Sequence, residues 1–273
     1  MPVYQPINAL LRGLEVLKVV NRLRVATVGD VHRETGYPKS SIVRILETLI
    51  EAGYVSTLPD GRGYVATART LQLATSTGIH AELLEVALPL LREFQREVVW
   101  PSDFACFDTD AMVILETSRQ PGTLSVNRMV GDRLPVLQTA LGRAYLAFCQ
   151  PAEHEAVIAR LRTSTAPEDR LARNPAALEA ELAKVRKLGY AINDGHTLPQ
   201  IRAIAMPILC EGYAVASFNV ISIAKAMTID EVVDHFGPPM RRTAQAISTA
   251  LEKRKSSKRL PQHSQRGYPR HGL

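Results

Sequence analysis

Apolar residues recur at helical spacing in two short runs between Thr27 and Val55, and the rest of the chain is arranged around that pair. In the first run Val28, Val31 and Thr35 are spaced for one helix face, with Thr27 as a cap and Asp30 near the positive end of the helix dipole. Gly36 breaks the pattern. Pro38 restarts it at an expected first helical position, and Ile42, Ile45, Leu46 and Leu49 trace one apolar stripe. Turned away from the stripe are Lys39, Ser40, Val43, Arg44 and Glu47, a mixture of short hydroxyls and basic groups that suits base edges and phosphates in a major groove. A preceding helix, about Ile7 to Arg22, is expected to pack across the pair through Leu10, Leu14, Leu17 and either Leu11 or Val20. After Gly53, the runs Tyr54–Thr57 and Tyr64–Ala66 flank Pro59-Asp60-Gly61-Arg62-Gly63, which reads as a hairpin wing with Arg62 at its tip and Tyr64 packed on the domain. Two amphipathic helices joined through a glycine also occur in many proteins that never meet DNA, so the wing is the more specific signal.

Beyond the wing the period changes twice. A short helical link, Thr67 to Ser76, leads to a helix from Ala81 to Val98 that carries Leu83, Leu84, Ala87, Leu91 and Phe94, with a kink expected at Pro89. Strands are predicted at Asp103–Asp108, Met112–Thr117 and Leu124–Arg128. Helices follow at about Thr139–Cys149, Ala152–Arg162 and Pro175–Leu188, the last closed by Gly189. A hairpin, Ile201–Leu209 with Tyr213–Ser222, is expected to turn at Glu211-Gly212. Thr228 opens a final helix through a capping box and carries it to about Lys253, with a kink at Gly237-Pro238-Pro239. The expected class is α+β: a winged helix-turn-helix domain at 1–66, a linker helix at 67–80, an antiparallel sheet flanked by helices at 81–253, and a disordered basic tail at 254–273.

Charge sharpens this division. Residues 1–80 carry 9 Lys and Arg against 6 Asp and Glu (+3), 81–250 carry 17 against 20 (−3), and 251–273 carry 7 against 1 (+6). The head suits a polyanion and the middle does not. No apolar run approaches the roughly 20 residues that span a bilayer, and the start MPVYQPINALLRG has no signal-peptide pattern, so a cytoplasmic protein with no membrane association is expected. Cys106, Cys149 and Cys210 are single and distant, which fits buried thiols rather than a metal or redox pair. No GxSxG, HExxH or phosphate-binding glycine loop is present, and the histidines are scattered. A catalytic or adaptor role is therefore the weaker class, and no cofactor or metal is expected.

The stretches TGYPKSSIVRILETLIEAGYV, LQTALGRAYLAFC and AMPILCEGYAVASFNVISIAKAMTIDEV, in this order, resemble the IclR family of bacterial transcription regulators over nearly the whole chain. REVVWPSDFACFDTDAMVILETS and AKAMTIDEVVDHFGPPMRRTAQAI are most similar to its regulators of phenylpropionate and hydroxyphenylpropionate catabolism. The resemblance implies a homodimer or homotetramer that binds double-stranded operator DNA through the winged heads, with RNA polymerase as a candidate further partner. A GAF-like C-terminal domain would hold a small carboxylic acid. By position, Lys39, Ser40, Ser41, Arg44 and the wing residue Arg62 are implied to face DNA; for Ser41 capping of the helix start is the competing role. Arg128, Met129, Gly131, Thr139, His196 and Asn219 are implied around the effector, with Arg128 pairing the carboxylate and His196 offering a hydrogen bond. Pro207 and Asn219 stand where relatives that take very small acids carry a cysteine and hydroxyls. This turns the expectation from glyoxylate or pyruvate toward a larger aromatic acid of the phenylpropionate type, walled by Phe104, Phe218, Met129 and Leu137.

Overall fold

Hydrogen-bonding and packing divide the chain into two compact units, Met1–Gly78 and Ile79–Leu273. The computed structural model describes residues 4–74, 78–119, 128–195 and 198–259; all but Arg128 of the strand expected at Leu124–Arg128, His196 and the tail from 260 lie outside the described residues.

The first unit contains α1 (Asn8–Leu23), α2 (Val28–Thr35), α3 (Lys39–Glu51) and an antiparallel hairpin of β1 (Val55–Thr57) and β2 (Tyr64–Ala66). Thr27 caps α2 as expected: its hydroxyl accepts from the Asp30 amide at 3.1 Å, while the Asp30 carboxylate accepts from the Thr27 amide at 3.0 Å. Gly36 then ends α2 in the left-handed conformation, φ +69°. Pro38 stands one position earlier than expected. It is the residue before the helix, with extended backbone (ψ 136°), and its carbonyl accepts from the Ser41 and Ile42 amides at 3.0 and 3.1 Å, the role of an N-cap residue.

The core of this unit is Val16, Val19, Val20, Ala26, Val31, Ile42, Leu46 and Val55, with Tyr64 packed against it. The expected face of α1 is corrected here. Leu17 and Val20 are buried, but Leu10, Leu11 and Leu14 are 58%, 53% and 49% exposed, because burial on α1 is confined to its second half, Val16, Leu17, Val19 and Val20, and the first half carries its leucines outside that core.

The second unit is built on a six-stranded antiparallel sheet in the order β5-β4-β3-β8-β7-β6, formed by β3 (Ser102–Asp108), β4 (Ala111–Thr117), β5 (Arg133–Pro135), β6 (Ala191–Asp194), β7 (Ile201–Cys210) and β8 (Tyr213–Ile223). β7 and β8 form the expected hairpin; Glu211 and Gly212 both have positive φ (53° and 83°), as a tight two-residue turn requires. β5 and β6, of three and four residues, are too short to show a period in sequence. One sheet face packs on α5 (Ala140–Leu146), with α6 (Pro151–Thr163) and α7 (Pro175–Leu188) contributing to the same core. The other packs on α4 (Gly78–Glu97) and α8 (Ile229–Arg259). Thr228 and Glu231 form the expected capping box, and α8 runs six residues past Lys253.

The stretch LQTALGRAYLAF earns its pattern from the closeness of α5 to the turn before it. A Cβ on Gly142 would meet the Val136 carbonyl oxygen at 2.0 Å and the Val136 Cα at 2.4 Å, so only glycine fits. Arg143, buried, donates to the Leu137 carbonyl at 2.7 Å and to the Ile192 carbonyl, stapling α5 to that turn and to β6. Gly142→Ala is expected to destabilise the second unit by about 1–3 kcal/mol or more, since backbone rather than a flexible side chain must retreat. Thermal unfolding checks this, and an unchanged melting temperature contradicts the close-packing account.

Candidate DNA interface and effector pocket

On α3 the buried stripe of Ile42 and Leu46 leaves Lys39, Ser40, Arg44 and Glu47 exposed on the opposite face. Ser41 is half-buried between the two faces, and no side chain caps the start of α3, so the capping role weighed for Ser41 is not made. The turn before the helix is fastened from behind. His32 Nδ1 lies 2.7 Å from the Tyr37 carbonyl oxygen, the Tyr37 hydroxyl donates to Glu15, and the Arg12 guanidinium lies 5.3 Å from the Tyr37 ring centre. Arg22 pairs with Glu34. Acidic groups of α1 and α2 are thus engaged within the unit, while the basic groups of α3 remain open. The Thr27 hydroxyl and amide, followed by Arg33, hold the Asp30 carboxyl below its usual range. On the wing, Asp60 Oδ1 accepts from the Arg62 amide at 3.1 Å, and Gly61 turns the chain at φ +68°, leaving Arg62 exposed at the tip.

In the second unit the period of the strands decides which predicted residues meet. Asp103 pairs across the ladder with Asn219, and Asn219 with Ala205; Ile221 pairs with Ala203, and Ala203 with Asn193. Residues directly opposite one another share a face, so these side chains form one continuous surface beneath α5. A pocket opens there. Arg128, Thr139, Asn193 and Asn219 supply its polar groups, and Ala140, Leu198, Ile201, Ala203 and Ile221 its apolar wall. Its free volume is ≈ 20 Å³, room for about one water.

Asp103, beside the pocket, has a fully buried side chain. Its Oδ1 accepts from Arg119 Nε at 3.0 Å and from the Thr117 hydroxyl at 2.8 Å, and its Oδ2 from Arg119 Nη2 at 3.1 Å. The Asp103 amide donates to Asn219 Oδ1 at 2.8 Å, which fixes the orientation of the Asn219 amide. Arg128 stands further off, with Nη1 3.8 Å from Asp103 Oδ2 and its side chain 15% exposed. It makes no hydrogen bond among the described residues. Burial lowers the Arg128 guanidinium from its ordinary value, with Asp103 opposing and Arg119 assisting; the more distant Asp132 opposes as well.

Of the residues expected around an effector, Arg128, Thr139 and Asn219 line this pocket. Thr139 is chiefly a cap: its hydroxyl donates to the Pro135 carbonyl at 2.8 Å and accepts from the Gly142 amide at 3.1 Å. Met129 and Gly131 shape the turn after Arg128 rather than the wall. The Met129 amide donates to Asp132 Oδ2 at 2.8 Å, and Gly131, at φ +89°, donates to the Ile114 carbonyl at 2.8 Å. Phe104 and Phe218 are corrected outright. They alternate with Asp103 and Asn219, point to the other face, and pack beneath α4, where Phe218 meets Phe94 edge-on at 5.4 Å. Leu137 is buried in the core under α5. Asp103, Arg119 and Asn193 were not anticipated. The only sequence signal for Asp103 is a carboxylate inside an otherwise apolar strand.

Burial, then Asp108, pushes the Cys106 thiol up to about 11, and burial, then Glu153, pushes Cys149 up to about 12, so neither is a reactive thiolate. Among the described residues no three His, Cys, Asp or Glu side chains gather as a metal site, and no helix is long and apolar enough to cross a membrane.

Comparison with known proteins matches both units of the chain. Residues 9–59 match the IclR helix-turn-helix domain, and residues 76–249 match the bacterial transcriptional regulator IclR C-terminal domain. The Pca regulon regulatory protein of Pseudomonas putida is 28% identical over 234 residues, covering 85% of this chain and 79% of the relative. A crystal structure of a transcriptional regulator from Rhodococcus sp. RHA1 superposes with a TM-score of 0.64 at 27% identity, covering 91% of this chain and 99% of the other. An IclR homologue from Microbacterium hydrocarbonoxydans, solved with 4-hydroxybenzoate, gives a TM-score of 0.65 at 24% identity, covering 90% of this chain and 99% of the other. With a helix-turn-helix whose basic face is open and a sheet domain matched along its length, the chain belongs to the IclR family of DNA-binding transcription regulators.

Proposed function

We propose that this regulator senses a small carboxylic acid, of the aromatic phenylpropionate type, in the pocket beneath α5 and controls an operon for the breakdown of such acids. The observation that carries the acid reading is Arg128: a mostly buried guanidinium at the wall of a largely apolar pocket, without a hydrogen bond among the described residues. A guanidinium presents paired donors in a plane, which a carboxylate matches with two oxygens. The aromatic class draws support from the five apolar lining residues and from the 4-hydroxybenzoate held by the Microbacterium homologue on the same fold. His196 is retained as a further candidate for the acid. A ring needs far more than the ≈ 20 Å³ now free, so its entry must part the lining. That requirement lets the ligand discriminate between two arrangements, without which it could not regulate. The small free volume favours a second reading, a short aliphatic acid such as glyoxylate or pyruvate.

For the output, Lys39, Ser40, Ser41 and Arg44 are assigned to the major groove and Arg62 to the flanking minor groove or backbone, two heads acting on an inverted repeat. Ile7, just before α1, and Leu10, Leu11 and Leu14 on it form an exposed apolar patch, 49–70% exposed, that a second copy of the chain would cover. In such a dimer Leu10→Asp with Leu14→Asp shifts the protein toward monomer in sedimentation; an unchanged mass removes this face from the interface.

Thermal shift against aromatic and short aliphatic acids separates the two ligand readings, with stabilisation by aromatic acids expected. Arg128→Ala is expected to weaken acid binding by about 10- to 100-fold, the loss of a charge-assisted pair, while leaving DNA affinity intact. For DNA, Arg44→Ala is expected to lose about 1–3 kcal/mol at the operator and little elsewhere, whereas Lys39→Ala weakens all sequences and lowers the salt slope by about one unit. Titrations over a salt series read both, and unaltered binding by both variants takes α3 out of the interface.

A further inference from the structure

We propose that Asp103 limits the pocket to ligands carrying a single carboxylate. This deepens the acid-sensing assignment and rests on it. Among the described residues Arg128 is the charged one lining the pocket, so a bound acid has one guanidinium to grip there. The neighbouring cation, Arg119, is committed: Nε and Nη2 both donate to Asp103, at 3.0 and 3.1 Å. The other polar lining groups are neutral. Asn219 is held by the Asp103 amide, with its Nδ2 3.5 Å from Asp103 Oδ2, and the Thr139 hydroxyl donates to Pro135.

Negative charge, by contrast, already flanks the site. The Asp103 carboxylate is 3.8 Å from Arg128 and has no exposed surface through which water could screen it. Asp132 adds a second, more distant carboxylate acting on the same guanidinium. A first ligand carboxylate is received by the donors of Arg128. A second finds no further cation among the described residues, since Arg119 is engaged by Asp103, and the Asp103 carboxylate opposes it in a low-dielectric setting, where like charges are discriminated strongly. Asp103 therefore acts on specificity without touching the ligand: it is a resident counter-charge that sets how much anion the pocket accepts.

The test uses the full chain and three ligands of similar shape: 4-hydroxybenzoate, terephthalate, and 4-carbamoylbenzoate, which matches terephthalate in size but bears one charge. Calorimetric titration of the wild type is expected to show 4-carbamoylbenzoate binding at least tenfold more tightly than terephthalate. Asp103→Asn is expected to narrow that gap at least tenfold by raising the affinity for terephthalate, a gain that a damaged fold cannot produce. Because Asp103→Asn removes the buried carboxylate that Arg119 faces, Asp103→Asn with Arg119→Gln is measured beside it, and the same narrowing is expected. Equal wild-type affinity for the two isosteres overturns the proposal, as does a folded double variant that keeps the wild-type discrimination. If monoacids bind through Arg128 but the isosteres are not distinguished, the charge limit alone fails. If no acid of the three binds, the acid-sensing assignment fails and the charge limit with it.

Discussion

A carboxylate with no surface in water is held in a folded protein only by partners that replace its hydration, and Asp103 is such a group. Arg119 faces it with two N–H groups, Thr117 adds a hydroxyl, and the Asp103 amide engages Asn219. These partners come from the end of β4, the segment after it, and the middle of β8, so a single charge ties the three central strands in register. Removing one partner of such a pair typically costs about 3–5 kcal/mol, because the other charge is stranded. Arg128 is then placed by the field of a pair that is already satisfied. Fold and binding chemistry thus share one constraint.

The other boundary of the pocket is set by α5, and it too depends on buried polar groups. Gly142 admits the Val136 backbone, Arg143 reaches the carbonyls of Leu137 and Ile192, and Ser217 donates to the Leu141 carbonyl at 2.9 Å. Ile192 precedes Asn193, so the Arg143 contact positions the strand end from which Asn193 lines the pocket. Thr139 and Ala140 occupy the start of the same helix. The arginine of LQTALGR is therefore a structural group that shapes the site without facing the ligand.

Much of this was legible from period and punctuation. The helices of the first unit, the wing, the β7–β8 hairpin and the capping box at Thr228 follow from local chemistry that acts over a few residues. Failures came where a long-range fact decides. β3 is buried from Ser102 to Cys106 and β8 from Ala216 to Ser222, so apolarity does not say which face Phe104 or Phe218 takes, and both lie on the face away from the pocket. Asp103 meets Arg119 across 16 residues and Asn219 across 116, separations that no spacing rule reaches. The first half of α1 carries a second apolar stripe, and the pattern alone could not distinguish a face turned to the core from one left exposed. Lys39, Ser40 and Arg44 were readable because exposure on α3 is fixed by the opposite, buried stripe.

The misplaced phenylalanines make the sheet more informative about the regulator than a pocket wall would. Asp103 and Asn219 border the proposed acid site, while the adjacent residues Phe104 and Phe218 lie under α4. α4 begins at Gly78, where the chain leaves the DNA-binding unit, and its Leu83, Ala87, Leu91 and Phe94 are buried on that face of the sheet. A ligand that spreads Asn219 from Thr139 acts on a backbone whose next side chain supports Phe94. Closely packed interiors accommodate such displacement by moving between discrete arrangements rather than by yielding smoothly. The pocket lining and the residues packed on α4 therefore come from two faces of the same strands, so a ligand acting in the pocket as proposed would bear on the packing of α4.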